Sequence, residues 1–217
     1  MADYTARRTM MVDTQVRPSD VTKFPIIDAM LNTPREAYVP DNLREAAYIG
    51  ENLSIADDRV MLEPRTLAKM LDSLDLQPDH VALDIGCGLG YSTAVCAAIC
   101  DFVVAVEDDE GRAAEAQSLL SENGVDNAAV MQGDLAAGAP KSGPYDVILL
   151  QGGVEAMPEA ILDQLREGGR IACIFHEAAL GVVRIGHKID GQVSWRFSFN
   201  ASAPILEGFA KDAVFAF

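Results

Sequence analysis

The chain has few cationic and aromatic side chains and no long apolar run. Of its 217 residues, 17 are Lys or Arg and 33 are Asp or Glu, which gives a formal net charge of −16. Such a field repels phosphate groups, so we expect no nucleic-acid partner. No apolar stretch reaches the roughly 18 residues that a membrane-spanning helix needs, so we expect no membrane partner either.

Cysteine is also scarce and is not arranged as a metal site. The four cysteines are Cys87, Cys96, Cys100 and Cys173. They form no C-x-x-C pair, and three of the four lie in segments that we predict to be buried. This spacing favours reduced core thiols over disulfides or zinc, and we expect no metal. The first residues show no apolar segment typical of a secretory signal, which makes the cytoplasm the expected compartment.

The most informative segment is Leu83–Tyr91, which reads L-D-I-G-C-G-L-G-Y. The apolar run 81–83 leads into it and the small-residue run 92–100 leads out, which predicts a strand, a glycine turn and a helix. Glycines allow the backbone to turn sharply and a ligand to approach closely. The start of a helix offers free N–H groups to an anionic ligand group. The segment therefore predicts a nucleotide-type binding turn.

The spacing of the glycines separates two cofactors. Dinucleotide sites carry G-x-G-x-x-G, whereas Gly86, Gly88 and Gly90 read G-x-G-x-G. Asp84, two residues before the first glycine, would repel a pyrophosphate and attract a sulfonium or ammonium group. The pattern favours S-adenosylmethionine, with a dehydrogenase or an ordinary strand-to-helix turn as alternatives.

Further polar residues follow the next predicted strands. Glu107 ends the run Phe102–Val106, about 20 residues past the glycine turn, where an acid can accept hydrogen bonds from ribose. Asp134 follows a strand at 128–132 and could accept from the adenine amine. A solvated acid and a plain Gly-Asp turn are the respective alternatives. Together with a glutamine after the strand at 145–150, the predicted cofactor residues are Asp84, Gly86, Gly88, Gly90, Glu107, Asp134 and Gln151.

The order of elements predicts an α/β fold. We expect helices at 20–31, 64–74 and 158–166, the last capped by Gly168 and Gly169, and a strand at 170–175. Asp190-Gly191 separates two apolar stretches, which predicts an antiparallel hairpin. The fold expected is a Rossmann-like doubly wound, mostly parallel sheet with an antiparallel C-terminal hairpin and an N-terminal helical extension. We expect one domain, 1–217, in which residues 1–80 form a lid and 81–217 the cofactor-binding core.

Three groups of segments resemble the protein-L-isoaspartate O-methyltransferase family of class I S-adenosylmethionine-dependent methyltransferases. The first comprises 11–17 (M-V-D-T-Q-V-R) and 33–40 (T-P-R-E-A-Y-V-P), and the second is the glycine motif. The third comprises 145–148, 158–165 and 168–170. The resemblance extends over nearly the whole chain and weakens toward the C-terminus.

The resemblance implies methylation of isoaspartyl carboxylates in damaged proteins, and hence a protein or peptide partner. A carboxylate with a pKa near 4 is already a nucleophile at pH 7, so the reaction needs no general base. We therefore assign no catalytic residue. The three histidines, His80, His176 and His187, are expected to be structural or solvated.

One segment departs from the family pattern. Where the family has Gly-x-Gly-Gln-Thr-Ile-Ser-x-Pro, this chain has A-D-D-R-V-M-L-E-P at 56–64. Val60 and Leu62 replace hydroxyls, and two aspartates would repel an acceptor carboxylate if they faced the pocket. Arg59 either attracts such a carboxylate or pairs with these aspartates. The departure leaves open a different methyl acceptor or a non-catalytic cofactor-binding homologue.

Overall fold

The computed structural model describes residues 3–177 and 180–211. In chain order its strands are β1 Leu53–Ala56, β2 Arg59–Met61, β3 Val81–Ile85, β4 Phe102–Glu107, β5 Ala128–Gln132, β6 Tyr145–Val154, β7 Leu165–Glu177, β8 Leu180–Ile189 and β9 Gln192–Asn200. Its α-helices are α1 Tyr4–Met11, α2 Phe24–Asn32, α3 Pro64–Leu74, α4 Tyr91–Ala97, α5 Glu110–Glu122 and α6 Glu159–Asp163. A π-helical turn at Val12–Val16 and short 3-10 turns connect the N-terminal helices.

Seven strands form one sheet in the order β5-β4-β3-β6-β7-β8-β9. The pairs from β5 to β7 are parallel, and β8 and β9 are antiparallel. Successive residues of β3 enter two separate apolar cores, Ala82 on one face and Leu83 on the other. The sheet is thus buried on both faces, which explains why its central strands are continuous apolar runs. The predicted fold class is confirmed.

The C-terminal hairpin also follows its prediction. Asp190 and Gly191 connect β8 to β9 with φ of 51° and 73°. Two consecutive positive φ angles are typical of the two-residue turn that matches the twist of a hairpin.

Residues 158–166 differ from the prediction. The helix is shorter, Glu159–Asp163, and β7 already begins at Leu165. Gly168 and Gly169 lie within β7 and do not cap the helix. A Cβ on Gly169 would lie 2.9 Å from the carbonyl oxygen of Asp146, so this glycine permits close backbone approach in a strand whose register shifts here.

Helix α2 also begins later than predicted. Asp20 has a left-handed φ of 64° that ends the preceding 3-10 turn, and Pro25 lies in the first turn of the helix. Helix α3 matches its predicted bounds. The four cysteines are free and buried. Among the described helices, none combines the length and apolar character that crossing a membrane requires.

Two features position the candidate site. The sheet order reverses between β3 and β6, and ligands of such sheets bind at the carboxyl ends of the strands near this point. A separate antiparallel pair, β1 with β2, lies beside it. We call residues 86–90 the glycine turn and residues 53–61 the cover hairpin.

Candidate cofactor site

The glycine turn has the backbone conformation that its sequence predicts. Gly86, Gly88 and Gly90 have φ of 73°, 57° and 95°. Residues other than glycine rarely adopt these backbone angles. Gly90 lies next to the first residue of α4, so the turn leads directly into a helix N-terminus.

Asp84 lies at the end of β3 beneath this turn and is 1% exposed. Ser92 and Thr93 donate hydroxyl hydrogen bonds to its Oδ2 at 2.6 and 2.7 Å. Gln151 donates from Nε2 to Oδ1 at 2.8 Å, across the point where the sheet order reverses. Burial raises the pKa of Asp84, and these three hydrogen bonds oppose the rise. Asp84 and Gln151 are thus brought together as the floor of the site.

Glu107 ends β4 and is fully buried, so it is not a solvated acid. Its Oε2 accepts from the N–H of Gly88 at 2.8 Å, which joins it to the glycine turn. Its Oε1 accepts from Arg59 Nη2 and from Arg112 Nε, both at 3.1 Å. Burial and the neighbouring Asp108 carboxylate raise the pKa of Glu107, and the pair with Arg59 opposes this rise.

Arg59 belongs to the cover hairpin and is 1% exposed. Besides Glu107, it donates to Asp108 Oδ1 at 2.7 Å. Asp58 is half-exposed and pairs with Arg112 at 3.3 Å. Arg59 thus pairs mainly with acids of β4 and the residue after it, and only weakly with the adjacent Asp58 at 3.7 Å. Sequence reasoning missed its contact with Glu107.

Two apolar side chains cover the glycines. A Cβ on Gly88 would lie 2.5 Å from Ile55 Cδ1, and one on Gly86 would lie 3.1 Å from Leu206 Cδ2. Ile55 comes from the cover hairpin and Leu206 from the segment after β9. The bare faces of these two glycines therefore contact the chain itself.

The remaining space is small above the turn and larger beside it. The cavity between the cover hairpin and the glycine turn measures about 10 Å³, room for about one water molecule. Cofactor pockets usually measure about 300–1,000 Å³. A second cavity of about 480 Å³ is lined by Asp108, Asp134 and Glu207 among others. Asp134 is exposed there, and its Oδ1 accepts from the N–H of Ala136 at 2.9 Å.

The fold and the glycine turn at the reversal of the sheet define a class I methyltransferase. A family model described as protein-L-isoaspartate(D-aspartate) O-methyltransferase matches residues 7–198. A protein-L-isoaspartate O-methyltransferase of Opitutus terrae is 35% identical over 77% of this chain and 72% of its own length. One of Syntrophus aciditrophicus is 35% identical over 79% of this chain and 78% of its own length.

Solved structures agree with these relatives. A protein-L-isoaspartate O-methyltransferase superposes with a TM-score of 0.82 at 25% identity, over 93% of this chain and 66% of that one. A Plasmodium falciparum protein described by the same activity, solved with S-adenosyl-L-homocysteine, superposes with a TM-score of 0.80 at 18% identity, over 95% of this chain and 99% of its own. The chain belongs to the protein-L-isoaspartate(D-aspartate) O-methyltransferase family, whose members are S-adenosylmethionine-dependent methyltransferases.

The residues fit this cofactor only in part. The glycine turn, Asp84 and the open side at Asp134 have the required character. Glu107 does not fit the expected role of accepting hydrogen bonds from ribose, because Arg59, Arg112 and the N–H of Gly88 already donate to its carboxylate. The described conformation therefore leaves no room for the cofactor over the glycine turn.

Proposed function

We propose that the chain binds S-adenosylmethionine across the glycine turn and methylates the isoaspartyl carboxylate of a protein or peptide. The proposed cofactor residues are Asp84, Gly86, Gly88, Gly90, Glu107, Asp134 and Gln151. The observation that carries the proposal is the glycine turn, with three positive φ angles, at the point where the sheet order reverses. The acceptor carboxylate is itself the nucleophile, so the chain needs to orient it and exclude water.

A titration with S-adenosylhomocysteine followed by a methyl-ester assay tests this function. The assay compares an isoaspartyl peptide with the same peptide containing ordinary aspartate. We expect methyl ester on the isoaspartyl peptide alone. Binding of S-adenosylhomocysteine without ester on any of several isoaspartyl peptides would contradict the proposed acceptor.

A second candidate is a non-catalytic homologue. The observation that favours it is the buried pair between Arg59 and Glu107, which satisfies the acid that the cofactor would need. Under this function, labelled S-adenosylmethionine transfers no methyl group to any acceptor in a cell extract. Methyl transfer to any acceptor would exclude it.

A further inference from the structure

We propose that the cover hairpin is an internal competitor of the cofactor, with Arg59 in the place of the ribose hydroxyls. The cofactor then binds only when the hairpin withdraws from the glycine turn. This inference rests on the proposed cofactor site, and it assigns to residues 53–61 a function that the family pattern does not imply.

The first argument is that the hydrogen-bond acceptor positions of the Glu107 carboxylate are already occupied. An ionised carboxylate offers about four acceptor positions. Oε1 accepts from Arg59, from Arg112 and from the N–H of Asp108, and Oε2 accepts from Arg59 and from Gly88. Because these donors fill the carboxylate, the two hydroxyls of a ribose can bind only if a donor leaves. Gly88 belongs to the turn itself and Arg112 to α5, so Arg59 is the donor that a movable element supplies.

The second argument is space. Ile55 packs on the face of Gly88, where a cofactor has to approach the backbone. With the hairpin in place, the cavity of about 10 Å³ is lined by residues of the hairpin and of the turn, Ile55 and Cys87 among them. Charge and volume thus exclude the cofactor together, and both come from the same nine residues.

The third argument is that the hairpin can move without unfolding the core. A two-stranded hairpin on its own is marginally stable, and within the part of the chain that the structure describes β1 and β2 pair only with each other. Its base is anchored in the apolar core through Leu53 and Met61, whereas its tip, Asp57 and Asp58, is exposed. Elements with few buried contacts open at a lower free energy than a central sheet. The buried ion pairs of Arg59, together with the more exposed pair of Asp58 with Arg112, therefore attach the tip to the body of the protein.

Competition has a measurable consequence. When only a fraction of the molecules is open, the apparent dissociation constant of a ligand rises by the inverse of that fraction. A substitution that destabilises the closed position of the cover hairpin should therefore lower the dissociation constant of the cofactor. Removal of a residue that contacts the cofactor would raise that constant.

The experiment is calorimetry of S-adenosylhomocysteine with the full chain, Arg59→Gln and Arg65→Gln. Arg65 is a matched control, since it lies just after the hairpin, is partly exposed and, among the described residues, forms an ion pair with Glu63 and stacks over Phe199, away from Glu107. We expect Arg59→Gln to bind at least about tenfold more tightly than the unaltered chain, and Arg65→Gln to bind like it. Equal affinity of Arg59→Gln and the unaltered chain, or no binding by Arg59→Gln, overturns the competition.

Ile55→Ala keeps the charges and decides the question if Arg59→Gln does not fold. It opens space over Gly88, so binding should tighten several-fold, and no gain overturns the inference. The isoaspartyl peptide assay separates this inference from the proposed function. A variant that gains affinity without forming ester supports competition and contradicts the acceptor. An unaltered chain that forms ester and binds as tightly as both variants supports the function and contradicts competition.

Discussion

The glycine turn and the cover hairpin face each other but differ in what they retain. The turn keeps the bare glycine faces and the positive φ angles of a ligand-binding backbone. The hairpin carries Ile55 and Arg59 into the space above the turn. One wall of a binding site can thus be preserved while the opposite wall fills it. Whether such a site binds its ligand then depends on the position of the cover hairpin.

The two buried acids of the floor show the same contrast. Among the described residues, Asp84 has hydroxyl and amide partners and no cation. Glu107, on the adjacent strand, is held by two arginines. Asp84 therefore remains a candidate for attracting a cationic ligand, whereas the charge of Glu107 is already compensated.

The largest effect is expected for the stability of Arg59→Ala. Removing one partner of a buried ion pair leaves an uncompensated charge and costs about 3–5 kcal/mol, and we expect the lower end because Arg112 still pairs with Glu107. Urea denaturation measures this loss. Arg65→Ala, a partly exposed control, should change the free energy of unfolding by no more than about 1 kcal/mol. A similar small change for Arg59→Ala would mean that the hairpin is not attached through Glu107.

The next effect concerns the floor alone. Asp84→Ala leaves three buried donors without an acceptor, which should cost about 2–3 kcal/mol of unfolding free energy. Asp84→Asn keeps an oxygen acceptor and removes a carboxylate whose pKa is raised by burial, so it should cost less. Denaturation curves of the two variants compare these losses. A larger loss for asparagine than for alanine would contradict the hydrogen-bond account.

A double-mutant cycle at Glu107 sharpens the comparison further. In the Arg59→Gln chain, Glu107→Ala should weaken S-adenosylhomocysteine binding by about 1.5–3 kcal/mol, because hydrogen bonds to a charged acceptor are lost. In the chain that retains Arg59, the loss should be smaller, because the same substitution also releases the hairpin. Calorimetry gives both values. Unchanged binding in the first background would refute the ribose role of Glu107.

The smallest effect is a pH dependence. Burial opposes ionisation of Asp108, but its side-chain contact with Glu107 and the hydrogen bonds from Arg59 and Arg112 outweigh burial and hold its pKa well below the usual range. An acid with a lowered pKa contributes stability above its unfolded pKa of about 4, and this contribution is lost as the pH falls. Asp108→Asn should therefore flatten the decline of unfolding free energy below about pH 4. If the unfolding free energy of Asp108→Asn falls at acid pH as steeply as that of the unaltered chain, other titrating groups cause the decline.

Part of this fold can be predicted from the sequence, because neighbouring residues alone determine the pattern of a buried strand or a tight turn. Buried parallel strands are continuous apolar runs, so β4 and β5 were predicted closely. The turn at Asp190-Gly191 has a specific residue requirement, and the hairpin around it was predicted too. The sequence could not separate α6 from β7, because Leu165 belongs equally well to an apolar helix face or to a strand.

The closing of the site was not predictable by the same rules. Arg59 and Glu107 are 48 residues apart, and nothing local determines which acid the arginine meets. Asp57 and Asp58 were nearer candidates in sequence, yet they lie at the exposed tip. The available signal was an arginine followed by the apolar run 60–62, which is typical of a buried strand, where a cation requires a buried partner.

Asn52 connects the two ends of the cover hairpin to each other and to the segment after β9. Its Oδ1 accepts from the N–H of Glu63 at 2.8 Å, and its Nδ2 donates to the carbonyl of Ser202 at 2.7 Å. Arg35, fully buried, donates to the carbonyl of Leu62 at 2.7 Å. Both ends of the hairpin are therefore fixed to each other and to the body of the protein. A hairpin fixed at both ends in this way moves as one rigid unit about its base. Substitutions of Asn52 should therefore alter the rates at which the cover hairpin opens and closes, as well as the equilibrium between its open and closed conformations.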